Sequence, residues 1–137
     1  MNELTVSVWN RQVLAETLVA VTPEAEASRF LGLVDTGSQR SAVSERVINS
    51  MGSSQDPVEY LDVGGIGSSA RSTPAFWLWL GVELDPGRDQ PIQCGQQLSV
   101  WRLLPPAPPN FDILLGMDFL ELFEIVLNDR ACTFRRN

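Results

Sequence analysis

The chain has 137 residues, 44% hydrophobic and 20% charged, with a formal net charge of −7, which is the composition of one soluble globular domain with a single core. The acidic balance argues against a nucleic-acid partner, and no apolar run approaches the roughly 18 residues of a membrane span. His and Lys are absent and the only cysteines are Cys94 and Cys132, which excludes Ser-His-Asp and Cys-His catalysis, Schiff-base chemistry, His-based zinc sites and a closed thiolate metal site.

No metal or cofactor is therefore expected, and any acid–base chemistry must come from carboxylates, with Tyr60 or a cysteine as remote alternatives. Both cysteines are expected to be reduced, because two of them do not make a disulfide framework or a CxxC motif. The opening Met1-Asn2-Glu3-Leu4-Thr5 lacks the basic and apolar regions of a secretory signal, so a cytoplasmic location is the expectation.

In chain order, Leu4–Val8 alternates apolar and polar residues and predicts a half-buried strand. Gln12–Thr22 predicts a second strand ending at Pro23, and Phe30–Val34 a third, buried one. Ser44–Gly52 predicts a short helix, with Ser44 as N-cap and Gly52 as its stop. Val58–Val63 and Phe76–Leu84 predict strands flanking the Gly-rich Gly64–Ser69, which together make a hairpin. In the second of these, Phe76, Leu78, Leu80, Val82 and Leu84 share one face, with Trp77 and Trp79 on the other.

Ile92 and Leu98–Leu104 predict further strand, and the proline-rich Pro105–Pro109 predicts a stiff extended connector. A second buried run, Asp112–Gly116, leads into a short helix at Met117–Leu122, and a terminal hairpin spans Glu124–Leu127 and Ala131–Arg135. Many strands with two brief helices predict an all-β barrel or sandwich occupying residues 1–137 as one domain. The sequence buried strand, small loop, short helix occurs at Phe30–Met51 and again at Ile113–Leu122, which suggests two half-domains related by an approximate two-fold.

The stretch with the clearest chemical content is Leu33-Val34-Asp35-Thr36-Gly37-Ser38. An apolar run drives straight into a carboxylate, which is costly to bury unless its charge is satisfied. Thr36, Gly37 and Ser38 supply hydroxyls and a tight turn that exposes backbone N–H groups. An Asx-type turn after a strand is the plainer reading of the same residues.

Three motifs in order resemble the retropepsin-like aspartic proteases: Val34-Asp35-Thr36-Gly37-Ser38 as the catalytic loop, Gly65-Ile66-Gly67 as the tip of the flap hairpin, and Ile113-Leu114-Leu115-Gly116-Met117-Asp118 as the element threading beside the loop. The resemblance implies an all-β, retropepsin-like acid-protease barrel with a flap hairpin and one or two short helices, forming a homodimer. It also implies an aspartic endopeptidase with Asp35 as the catalytic residue, Thr36, Gly37 and Ser38 supporting it, Gly65, Ile66 and Gly67 covering an extended peptide substrate, and Leu114, Leu115 and Gly116 as structural neighbours. Ala131–Phe134 resembles the dimer-forming C-terminus of the family. Gln39 and Met117 stand where retroviral members commonly carry an acidic residue and an Arg, which is more similar to bacterial and eukaryotic cellular members.

Only one Asp-Thr-Gly is present, so the second carboxylate that aspartic proteolysis needs is expected from another copy of the chain, on a two-fold axis. The Ser38 hydroxyl is expected to donate to the Asp35 carboxylate, lower its pKa and favour an acidic optimum. Trp77, Trp79 and Trp101 are expected in barrel packing or a dimer face rather than in substrate subsites. Asp112 and Asp118 are expected in loop and helix-cap roles rather than as a cation pair. The contrasting function is a catalytically inactive peptide-binding or dimerisation module on the same fold.

Overall fold

A computed structural model describes residues 2–52, 56–63, 71–104, 106 and 108–136. Ten strands and two short helices follow one another as β1 (Asn2–Trp9), β2 (Gln12–Ala20), β3 (Ser28–Val34), β4 (Ala42–Val43), α1 (Glu45–Ser50), β5 (Glu59–Val63), β6 (Arg71–Leu84), β7 (Ile92–Arg102), β8 (Ile113–Leu115), α2 (Met117–Leu120), β9 (Glu124–Leu127) and β10 (Ala131–Arg136). Strands β6, β7, β4, β8, β3 and β2 are neighbours in that order, and an additional β2–β6 pairing at Leu18↔Gly81 closes the ring. The all-β barrel expected from the sequence is thus present, with six strands in the closed ring.

The ring has internal two-fold character. The hairpin-like pair β2–β3 matches β6–β7, and β4–α1 matches β8–α2. Accordingly β3 pairs in parallel with β8 and β7 in parallel with β4, while β4–β8 and β2–β6 are the antiparallel contacts that relate the halves. The repeat anticipated from sequence is real but differently framed: the counterpart of β3 is β7, not the short apolar run at Ile113. The loop corresponding to Asp35–Ser41 is therefore the proline-rich connector after β7, and Asp-Thr-Gly has no copy there.

Apolar periodicity explains the core. Phe76, Leu78, Leu80, Val82 and Leu84 point inward from β6 and join Val19, Val43, Val47, Val100, Ile113, Leu115, Phe119 and Phe134. Phe134 also meets Phe123 edge-on at 5.6 Å between ring centres. On the opposite face of β6, Trp79 is buried with Leu18 and Ala20. It can lie flat there because the cross-strand partners Gly81 and Gly95 carry no side chain: a Cβ at either would come within 2.6 Å of the indole. Trp79 is thus barrel packing, Trp101 is half-buried, and Trp77 is 53% exposed.

Several boundaries differ from the sequence reading for local reasons. β2 stops at Ala20 rather than Thr22, because the Gln97 side-chain amide donates to the Val21 carbonyl at 2.8 Å in place of a strand partner. β7 is continuous through the polar Gln93–Gln97, since β6 pairs with it from Ala75↔Trp101 to Leu84↔Ile92. Pro74 falls just outside that paired run, where a missing N–H is tolerated. The β1–β2 turn at Asn10-Arg11 has φ of 52° and 60°, the type I′ geometry that matches strand twist in a two-residue hairpin. At the end of α1, Gly52 has φ +96° and stops the helix as expected.

The terminal strand requires a correction. β10 pairs with β1 on one side and with β9 on the other, both within the chain. Its hydrogen-bonding edges are occupied, so it is not a free dimer-forming strand; the exposed edge of this small sheet is β9, with Leu127 58% exposed.

Candidate active site

Asp35 emerges from β3 at the barrel mouth and is half-buried. Its own backbone N–H donates to the Leu115 carbonyl at 3.0 Å, which continues the parallel β3–β8 ladder by one residue and fixes the start of the loop. The chain then turns: the Ser38 N–H donates to the Asp35 carbonyl at 3.2 Å, and the Gly37 N–H donates to the Asp35 Oδ1 at 3.0 Å. A Cβ at position 37 would crowd that Oδ1 at 3.3 Å. One carboxylate oxygen thus has a backbone donor, and among the described residues no ion pair involves Asp35. Thr36 and Gly37 are exposed at the loop tip.

The loop is braced from below by the Leu114-Leu115-Gly116 element. β8 lies between β3, with Leu33↔Leu114 and Val34↔Leu115, and β4, with Ala42↔Leu114. Past it, the Met117 N–H donates to the Ser38 carbonyl at 2.8 Å and the Asp118 N–H to the Gln39 carbonyl at 3.1 Å. Gly116 touches the backbone of Arg40 so closely that a Cβ would sit 2.6 Å from both its carbonyl carbon and oxygen. Ser41, wholly buried, completes the brace: its N–H and hydroxyl donate to the two oxygens of Asp118 at 3.0 and 2.7 Å, and its Oγ accepts the Gly116 N–H at 3.0 Å. The Asp35 loop is therefore held by backbone and buried polar contacts rather than by an apolar plug.

No family model and no curated protein matches the sequence. The crystal structure of a retropepsin-like aspartic protease from Rickettsia conorii matches this chain with a TM-score of 0.62 at 12% identity, over 96% of this chain and 89% of that one. The fold is retropepsin-like.

Within this retropepsin-like frame, the structure brings Asp35, Thr36, Gly37, Ser38, Leu114, Leu115 and Gly116 together at one end of the barrel. Gly65, Ile66 and Gly67 lie outside the described residues. What is described of their hairpin is its stem, β5 against β6 from Glu59↔Ala75 to Val63↔Arg71.

Two side-chain expectations change. The Ser38 hydroxyl donates to the Arg40 carbonyl at 2.8 Å, not to Asp35; turning back along its own loop, it satisfies a main-chain acceptor two residues away. Ser44 occupies the N-cap position of α1 but makes no side-chain cap, because its hydroxyl donates to Asp112 Oδ1 at 2.8 Å. Asp112 also receives the Arg46 guanidinium at 2.8 Å. Asp112 and Asp118 thus brace different segments, and Asp118 serves Ser41 rather than capping α2. Gln39 is exposed and Met117 is 39% exposed, and each enters the contact between the two segments through its main chain, the Gln39 carbonyl accepting the Asp118 N–H and the Met117 N–H donating to the Ser38 carbonyl.

Sequence reading missed one cluster beside the loop. The Arg40 Nη2 donates to Glu59 Oε1 at 2.7 Å and to the Ser99 carbonyl at 3.2 Å, while the Ser99 hydroxyl donates to the same Glu59 oxygen at 2.7 Å. The Ser99 hydroxyl and the Arg40 guanidinium hold the Glu59 carboxyl below its usual range. Separations of 19 and 40 residues along the chain leave no local signal for it. Among the described residues, no group of three or more His, Cys, Asp or Glu is arranged to hold a metal ion, and no helix is long and apolar enough to cross a membrane.

Proposed function

We propose that this chain is a homodimeric aspartic endopeptidase whose active site is completed when two copies bring their Asp35 carboxylates together. The observation that carries this reading is Asp35 itself: a half-buried carboxylate at a strand end on a retropepsin-like fold, held by the Gly37 N–H and without a basic partner among the described residues. A carboxylate used only for a turn has no need of a loop braced through Leu115, Gly116 and Ser41.

Two like carboxylates at close range cannot both ionise, so the pair shares a proton. The ionised member accepts a proton from water as it attacks the peptide carbonyl, and the protonated member donates to the carbonyl oxygen. Each chain supplies one such group, so the site needs the symmetric pair. The exposed Thr36 and Gly37 at the loop tip are the part of the site that would face the second copy. The substrate would be an extended peptide lying between the loop and the β5–β6 hairpin, with Gly65, Ile66 and Gly67 covering it.

The test is incubation of wild type and Asp35→Asn with an unfolded protein across about pH 3–7, the range that brackets carboxylate titration. Cleavage by wild type alone is expected, with activity falling more than in proportion when excess Asp35→Asn is mixed in. Cleavage by both, or by neither, overturns the reading. Binding of peptide by both without cleavage would favour the inactive module.

A further inference from the structure

We infer that Arg40 is a positioning residue that ties the Asp35 loop to the base of the β5–β6 hairpin, through Glu59 and Ser99. Three segments meet at one guanidinium, and a fourth packs on the Arg40 main chain. Arg40 follows the Asp35 loop, Glu59 opens β5, Ser99 lies on β7, and Gly116 packs on the Arg40 backbone from beneath. The Arg40 main chain cannot drift, because Gly116 abuts it and the Ser38 hydroxyl donates to its carbonyl at 2.8 Å. Its side chain therefore leaves from a fixed origin, which lowers the conformational cost that usually makes exposed ion pairs weak.

The far end is equally defined. Glu59 is the cross-strand partner of Ala75, the first residue of β6 that also pairs with β7, and Ser99 is opposite Trp77. The contact thus falls where the hairpin leaves the barrel. Beyond Ala75 the described stem, Val63↔Arg71 to Tyr60↔Pro74, has no pairing to β7. Arg40 and Ser99 hold Glu59 at that point, so the base of the stem is tied to the loop that carries Asp35, alongside the buried Thr73 hydroxyl, which donates to the Arg102 carbonyl at 3.1 Å.

For its consequence on substrate the inference rests on the proposed protease reading; for the geometry it does not. The test compares wild type, Arg40→Gln, Glu59→Gln and the charge-exchanged double variant Arg40→Glu/Glu59→Arg by amide hydrogen exchange. Each single variant is expected to raise exchange at stem amides 59–63, 71–73 and 75 by about two- to fivefold, the size an exposed but anchored ion pair supports. Amides of the β1–β10 ladder are expected to stay unchanged and the double variant to recover at least half of the loss. Ser99→Ala, which removes one donor to Glu59, is expected to give a smaller change of the same sign. Unchanged stem exchange in both single variants, an equal rise in the β1–β10 ladder, or no recovery in the double variant overturns the inference. In cleavage assays the single variants should raise KM more than they lower kcat; a loss confined to kcat overturns it. Absence of cleavage in wild type would sink the protease reading while leaving the exchange result to decide the role of Arg40.

Discussion

Gly116→Ala is the substitution on which the bracing of the Asp35 loop can be tested most directly. Gly116 has an extended backbone, φ −89° and ψ −177°, so alanine costs nothing in conformation and the whole penalty is steric. The added Cβ would sit 2.6 Å from the Arg40 carbonyl carbon and oxygen and 3.0 Å from its nitrogen, about 0.8 Å short of ordinary contact. Neither side yields easily. The Met117 and Asp118 N–H groups donate to Ser38 and Gln39, the Gly116 N–H donates to the buried Ser41 Oγ, and Asp35 is tied to Leu115. Overpacking of this kind costs typically 1–3 kcal/mol, and contact with the Arg40 backbone rather than a flexible side chain places the expectation near the top, at about 2–3 kcal/mol. In urea, with a slope of roughly 2 kcal/mol per molar for a domain of this size, the unfolding midpoint should fall by about 1–1.5 M at unchanged slope. The same shift displaces Arg40 and the loop, so cleavage should fall further than folding does at temperatures where the variant remains native. A midpoint within about 0.25 M of wild type would show that the two segments slide apart freely, and the bracing argument would be wrong.

Two further outcomes follow from individual side chains. Ser38→Ala removes the 2.8 Å hydrogen bond to the Arg40 carbonyl and should cost about 0.5–1.5 kcal/mol in denaturant titration. Because that hydroxyl does not reach Asp35, the acid limb of the cleavage profile should stay in place, and an upward move of the optimum would restore a direct Ser38–Asp35 contact. Cys132 is fully buried and desolvation raises its thiol above the ordinary value of 9.0. The folded pKa being the higher one, this contribution to stability is complete below pH 9.0 and is lost as pH rises towards the folded value. Stability should decline there by up to about 1.4 kcal/mol per pH unit, and Cys132→Ala should remove that part of the alkaline slope; an identical slope in the variant would refute it.

Much of the barrel was legible in the chain because burial on one face imposes a period of two, as in Phe76–Leu84 and Leu4–Val8. The Asp35 loop and its apolar-Gly partner were legible for a similar reason: abrupt changes from apolar strand to small residues mark where a strand must stop. Composition alone removed His and Lys chemistry, and the single Asp-Thr-Gly set the expectation of a site made from two copies.

Tertiary structure decided what depends on who meets whom. The polar run Gln93–Gln97 is strand only because β6 lies beside it, and the repeat equates β7 with β3 only once the parallel pairings are seen. The hydroxyl of Ser38 had several acceptors within reach of its loop, and packing chose the Arg40 carbonyl. β10 could have been an edge, but β1 and β9 cover both its sides. Arg40, Glu59 and Ser99 carry no pattern in sequence, since an ion pair requires proximity and the chain encodes proximity over long separations only through the whole fold. The sequence by itself determined that Asp35 ends a strand where apolar residues give way to small polar ones; the fold left that strand only part-buried, with Leu31 46% exposed, and determined that the loop bearing Asp35 is held by Gly116 and Ser41 and bonded through Arg40 to Glu59 at the base of the β5–β6 hairpin.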